Sequence, residues 1–236
     1  MADPLVLSDL RSGVAFLVQD SLTDSTTQDN IDRAINNAYI DLAGIRGFWR
    51  KRSTTISLTA DTVAYNLPGD FSDIYRLYYR QSGKYYEVET IGDHQWLEVS
   101  ATATTDAGTP RYSRVTQTST STNQIELTPP PSSSFVTTYS TLTIEYFIEI
   151  SRLSSATDAP ILPANLRHHI LYPAAYEYAL GQGDMALADR LRIKAEESKA
   201  RILRHDLTRT GKARQLYPAR GYWQDSDLVS RDYGRG

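Results

Sequence analysis

The chain has 236 residues with a formal net charge of −3, 40% hydrophobic residues and no cysteine. That hydrophobic share suffices for a core without disulfides. Thiolate metal sites, thiol catalysis and disulfides are excluded, and no apolar run approaches the roughly 18 residues a membrane span needs. The first residues, Met-Ala-Asp-Pro-Leu-Val-Leu-Ser-Asp, lack the basic segment of a secretory signal. The charge is uneven. From Ala186 onward twelve Lys/Arg face seven Asp/Glu, a balance of +5 that leaves −8 for the rest. An acidic body with a basic end suits a molecule that docks by its C-terminus onto something negative. The alternative is a solvated helix face followed by a tail.

Ser8 is a candidate N-cap for a first helix carrying Leu10, Val14, Leu17 and Val18 on one stripe. Asp20–Thr27 is polar and reads as a loop. A second helix, capped by Thr26 or Thr27, follows with Ile31, Ile35, Ala38 and Leu42, flanked by Ala34 and Tyr39, and Gly44 stands where a helix would end. Two amphipathic helices joined by a short loop form an antiparallel pair.

From Ser53 the pattern changes to β-branched and aromatic residues. Thr55–Thr59, Asp70–Arg80, Tyr85–Ile91, Arg111–Thr116 and Gln124–Thr128 read as strands, and Leu142–Ile150 alternates most clearly. No helical stripe is visible here, so residues 53–150 read as an antiparallel sheet or small sandwich. Ser100–Pro110, Thr116–Asn123 and Pro129–Ser134 read as exposed polar loops, either simple connections or surfaces that pack on neighbouring subunits.

After Leu162-Pro163 helices return. Asn165–Leu180 is aromatic and apolar, with Pro173 expected to kink it. Gly181-Gln182-Gly183-Asp184 breaks it and caps a charged helix reaching about His205. The expected fold is α+β: helices 5–45 and 164–206 form a bundle beside the β-region 53–150 within one domain, 1–206. Residues 207–236 form an extended arm. The arm carries Arg214, Tyr217, Arg220, Tyr222 and Trp223, side chains typical of interface anchors, and reads as a docking segment.

Catalytic signatures are missing: no nucleophile elbow, phosphate loop, dinucleotide loop or zinc-protease motif occurs. His168 and His169 are adjacent and point apart, and Asp20, Asp24 and Asp29 lack the glycine and bidentate glutamate of a calcium loop. No catalytic residue, metal ligand or cofactor is expected. A basic series in the last helix, Arg190, Lys194, Arg201 and Arg204, is interleaved with acids, and no nucleic-acid reader motif accompanies it.

The order of elements carries a resemblance. Gly47-Phe48-Trp49 follows the second helix, and Leu67-Pro68-Gly69-Asp70-Phe71 leads into Ile74-Tyr75-Arg76-Leu77-Tyr78. Leu162-Pro163 then precedes the aromatic helix, and a paired final helix spans Met185–His205. This resembles the head-to-tail adaptors (connectors) of tailed bacteriophages, of the tail tubular protein A type. The resemblance implies a non-enzymatic virion protein of the neck, made in the host cytoplasm. It also implies a dodecameric ring beneath the portal that extends the channel through which DNA leaves. The implied partners are the portal protein, engaged by the helices and the arm, the next tail or neck protein, engaged by the β-region, and further copies of the chain. DNA would pass without sequence-specific binding, and no membrane is involved. Another ring-forming tail component, a stopper or tail terminator, remains an alternative, as does an enzyme or nucleic-acid binder.

Overall fold

The computed structural model describes residues 5–45, 47–81, 83–102, 107–118 and 122–209. The proposed arm residues Arg214, Tyr217, Arg220, Tyr222 and Trp223 lie outside the described residues. The architecture is mixed α+β, as the periodicity predicts. The chain divides into two compact units. One comprises residues up to Ser8 together with Tyr39–Ala164, and the other comprises Asp9–Ala38 with the described residues from Asn165 on.

Helix α1 spans Leu7–Val18 and α2 spans Ser25–Ala43. Ser8 is not the N-cap of α1. It sits inside the first turn, where the Leu7 and Ser8 amides donate to the carbonyls of Asp158 (2.9 Å) and Ala156 (3.0 Å). A loop distant in sequence thus satisfies donors that a cap would otherwise take. The cap of α2 is Asp24, not Thr26 or Thr27: its carboxylate accepts from the Thr27 amide at 3.1 Å.

In the first unit, β1 (Lys51–Ser57), β2 (Ala64–Asn66), β3 (Phe71–Gln81), β4 (Lys84–Glu87) and β5 (Glu89–Thr90) precede helix α3 (Asp93–Thr102). Strands β6 (Tyr112–Gln117) and β7 (Asn123–Thr128), helix α4 (Ser133–Thr138) and strand β8 (Thr141–Ile148) follow. They build two four-stranded sheets, A in the order β1-β8-β3-β4 and B in the order β2-β7-β6-β5. All pairings are antiparallel except the short parallel pair β5–β6. One core lies between the sheets. Ile56, Leu77, Leu142 and Ile144 come from sheet A and Ile125 and Leu127 from sheet B. This is a sandwich. The run Tyr85–Ile91 is two strands rather than one. At Val88, whose amide donates to the Leu77 carbonyl at 2.8 Å, the chain leaves sheet A for sheet B.

Helices α3 and α4 correct the all-β reading of this region. Helix α3 has one deep anchor, Trp96, which packs under the Arg114 guanidinium at 4.9 Å. Helix α4 is capped by Ser132, whose hydroxyl accepts from the Phe135 amide at 3.2 Å. Pro129–Ser134 is therefore no open loop. The Pro130 carbonyl accepts from Gly108 (2.7 Å), that of Pro131 from Asp61 (2.9 Å), and the Ser132 amide donates to Gly108 (2.9 Å).

The Gly47-Phe48-Trp49 and Leu67–Phe71 motifs have physical roles. A Cβ on Gly47 would lie 2.4 Å from the Trp49 indole, which is buried and donates from Nε1 to the Ala43 carbonyl at 3.2 Å. Leu67 and Phe71 are buried at either end of a turn in which the Phe71 amide donates to the Pro68 carbonyl at 3.0 Å. The Asp70 carboxylate accepts from the Tyr146 hydroxyl at 3.0 Å.

In the second unit, a 3-10 segment Ala164–Ile170 leads into α5 (Leu171–Gln182), followed by α6 (Met185–Arg209). Pro173 does not kink a long helix. It lies in the first turn of α5, where its missing amide removes no helical hydrogen bond. Gly183 ends α5 in the left-handed region (φ 75°), and Asp184 caps α6 by accepting from the Leu187 amide at 3.0 Å. Arg11 of α1 and Asp32 of α2 form a two-pronged ion pair.

Candidate interaction surfaces

Two surfaces stand out on the sandwich. The register of sheet A alternates its side chains. Leu77, Tyr79 and Ile144 face the core, while Arg76, Tyr78, Arg80 and Tyr85 lie on the outer face. The β3 irregularity between Ile74 and Arg76 places Tyr75 on that outer face too, edge-on to Phe147 (5.8 Å) and beneath the Lys51 ammonium (3.6 Å). Tyr78 and Tyr85 meet edge to face at 5.2 Å, and the Arg80 and Arg76 guanidinium groups lie 5.6 Å from the Tyr85 and Tyr75 rings. Tyr85 is 65% exposed. Large rings and arginines held in place but open to solvent are the composition of interface hot spots.

On the opposite side, α3 meets the outer face of sheet B at Arg114, whose guanidinium lies 4.9 Å from the Trp96 ring. Arg114 pairs with Glu126 at 2.6 Å and with Asp93 at 3.3 Å. Leu97 projects beside Asp93 and Glu98 and is 65% exposed. Neither surface follows from composition. The signals available in the sequence were the tyrosines and arginines of one strand parity around the Gly83 turn.

In the second unit, a cleft of about 220 Å³ is lined by His168, His169 and Tyr172 and by Lys194, Glu197, Ser198 and Arg201 of α6. Burial, then the charges of His168 and Arg201, push the His169 imidazole down to about 4. His168 is exposed and His169 buried, but the two rings do not point apart as expected: their centroids lie 3.9 Å from each other. The Tyr178 hydroxyl donates to the Asp20 carboxylate. Burial and that bond push Tyr178 up to about 12, and the same bond lowers Asp20. Phe16 of α1 is 82% exposed. Among the described residues, no group of three or more His, Cys, Asp or Glu could hold a metal. No helix among them is long and apolar enough to cross a membrane.

Arg50 escaped the sequence reading. Its buried guanidinium donates to the carbonyls of Ile148 (3.0 and 2.7 Å) and Gly44 (2.8 Å) and to the Ser72 hydroxyl (3.2 Å). It thereby ties the end of α2 to β8 and β3.

No curated protein matches the sequence significantly. The family model described as the SU10 adaptor protein matches residues 7–220, spanning both helical segments and the whole sandwich. The chain therefore belongs to the SU10 adaptor protein family, structural adaptors of phage particles rather than enzymes.

Proposed function

We propose that twelve copies of this chain close into a ring that joins the portal of the capsid to the tail and extends the channel for DNA. The protein then works in the neck of the virion by mechanical joining. The observation that carries this reading is the length of the family match, residues 7–220. The helices and the C-terminal arm engage the portal, and the β-sandwich meets the next tail or neck protein. In the arm, Arg214, Tyr217, Arg220, Tyr222 and Trp223 are the docking residues. Three of them, Arg214, Tyr217 and Arg220, fall inside the matched span. DNA passes through without sequence-specific contact.

The test removes residues 210–236, which leaves α6 whole, or replaces Trp223 with Ala, and measures portal binding beside thermal stability. An interface tryptophan contributes roughly 2–4 kcal/mol, so portal affinity falls at least about tenfold while the melting temperature holds. Unchanged portal binding by the shortened chain would remove the arm from this account.

A further inference from the structure

We propose that the two outer faces of the β-sandwich are the two halves of the contact between neighbouring copies: the tyrosine–arginine face of sheet A on one copy receives helix α3 of the next. This rests on the ring reading above. A ring closes through a head-to-tail contact, in which two different patches of each subunit meet. Such a contact needs complementary patches on opposite sides of one rigid body. The sandwich provides them, because one core lies between sheets A and B and each candidate patch is on the far side of its own sheet.

The patches complement each other. By formal charge, the four acids on the α3 side, Glu89, Asp93, Glu98 and Glu126, outnumber the single arginine there, Arg114, with His94 beside Glu98 at 3.7 Å and exposed Leu97 between Asp93 and Glu98. The sheet A face is balanced overall: Lys51, Arg76 and Arg80 against Asp73, Glu87 and Glu145. Lys51 is engaged by Glu145 at 2.7 Å, which leaves the two arginines as the cations beside the exposed rings. Leu97 fits against Tyr78 and Tyr85, with Asp93 and Glu98 near Arg76 and Arg80. The Tyr78–Tyr85 and Arg80–Tyr85 contacts already hold this face in order, so little side-chain freedom remains to be lost on docking. A nucleic acid finds no net positive charge on the sheet A face, and the acidic α3 face repels it.

The chain has no cysteine, so two introduced thiols report the contact without background. Tyr85→Cys and Leu97→Cys are combined in one full-length chain, assembled on portal-containing heads, oxidised and run on a non-reducing gel. A ladder from dimer to full ring is expected. Each single variant should stay monomeric, and a mixture of the two should stop at dimers. In parallel, Arg76→Glu with Arg80→Glu, or Asp93→Arg with Glu98→Arg, should each lower ring occupancy on heads more than tenfold, and all four changes in one chain should restore it. Rings that form at the unaltered level with either reversed pair, or rings without a ladder, overturn the face assignment and leave the ring reading standing. The same holds if reversal of the arginines leaves the ring intact but loosens packaged DNA, which would assign that face to nucleic acid. If the unaltered chain binds heads without forming rings, the ring reading falls too.

Discussion

Arg50 donates twice to one acceptor, the Ile148 carbonyl, through Nε at 3.0 Å and Nη2 at 2.7 Å, across 98 positions of sequence. With its third bond to the Gly44 carbonyl, it joins the residue after α2 to the last residue of β8. Replacing Arg50 with Met strands the buried Ile148 carbonyl, while the exposed Gly44 and Ser72 acceptors turn to water, so unfolding in urea should show a loss of about 1–3 kcal/mol for Arg50→Met. Arg50→Lys should recover only part of it, because an ammonium cannot reproduce the planar fork. A lysine variant as stable as the parent would contradict the geometry.

Gly47 and Gly69 make a matched pair. A methyl on Gly47 enters the Trp49 indole, whereas one on Gly69 meets nothing within 4 Å. Gly47→Ala should cost roughly 1–3 kcal/mol, the usual penalty for overfilling a packed site. Gly69→Ala should be near neutral, and urea midpoints of the two variants make the comparison. Equal midpoints would remove the steric explanation for the Gly-Phe-Trp element.

His169 sets a pH dependence. Its folded value, about 4, lies below its ordinary 6.5, so the unfolded chain takes up the proton first as pH falls. The His169 contribution to stability is complete above about pH 6.5 and is lost as pH falls through about 4. Lys194, Glu197 and Arg201 line the same cleft. Thermal melts of the parent and of His169→Gln at pH 7, 5.5 and 4.5 isolate the effect. The parent should lose more stability over this range than the variant. Parallel curves would show that the imidazole is not held neutral.

Tyr178 gives the opposite limb. Its folded value of about 12 exceeds the ordinary 10, so its contribution is complete below pH 10 and is lost as pH rises through 12. Tyr178→Phe should flatten the fall in stability above pH 10, read by urea unfolding at pH 9 and 10.5.

How much was legible depended on whether the signal was local. Strand β8 was readable because Leu142, Ile144 and Tyr146 alternate with polar partners and lie buried between two strands. The α5–α6 break was readable because Gly183 needs a left-handed backbone and Asp184 can cap. Helix α3 was not, since among its described side chains Trp96 is the one that is buried, while Leu97 is exposed, so no buried stripe runs along it. Helix α4 is mostly Ser and Thr, residues of modest helix propensity, and its Thr137 and Thr138 hydroxyls donate to carbonyls one turn back. Arg50 left no sequence signal because its main acceptors are backbone carbonyls, one of them far along the chain. The tyrosine–arginine face needed the register of β3, including the irregularity that turns Tyr75 outward.

The central claim, that this adaptor acts as a ring beneath the portal, is tested most directly by electron microscopy of portal-containing heads incubated with the purified chain. The account predicts added density beneath the portal with twelvefold symmetry, surrounding an open channel on the portal axis. Heads that carry no added ring, or that bind single copies without rotational symmetry, would contradict it.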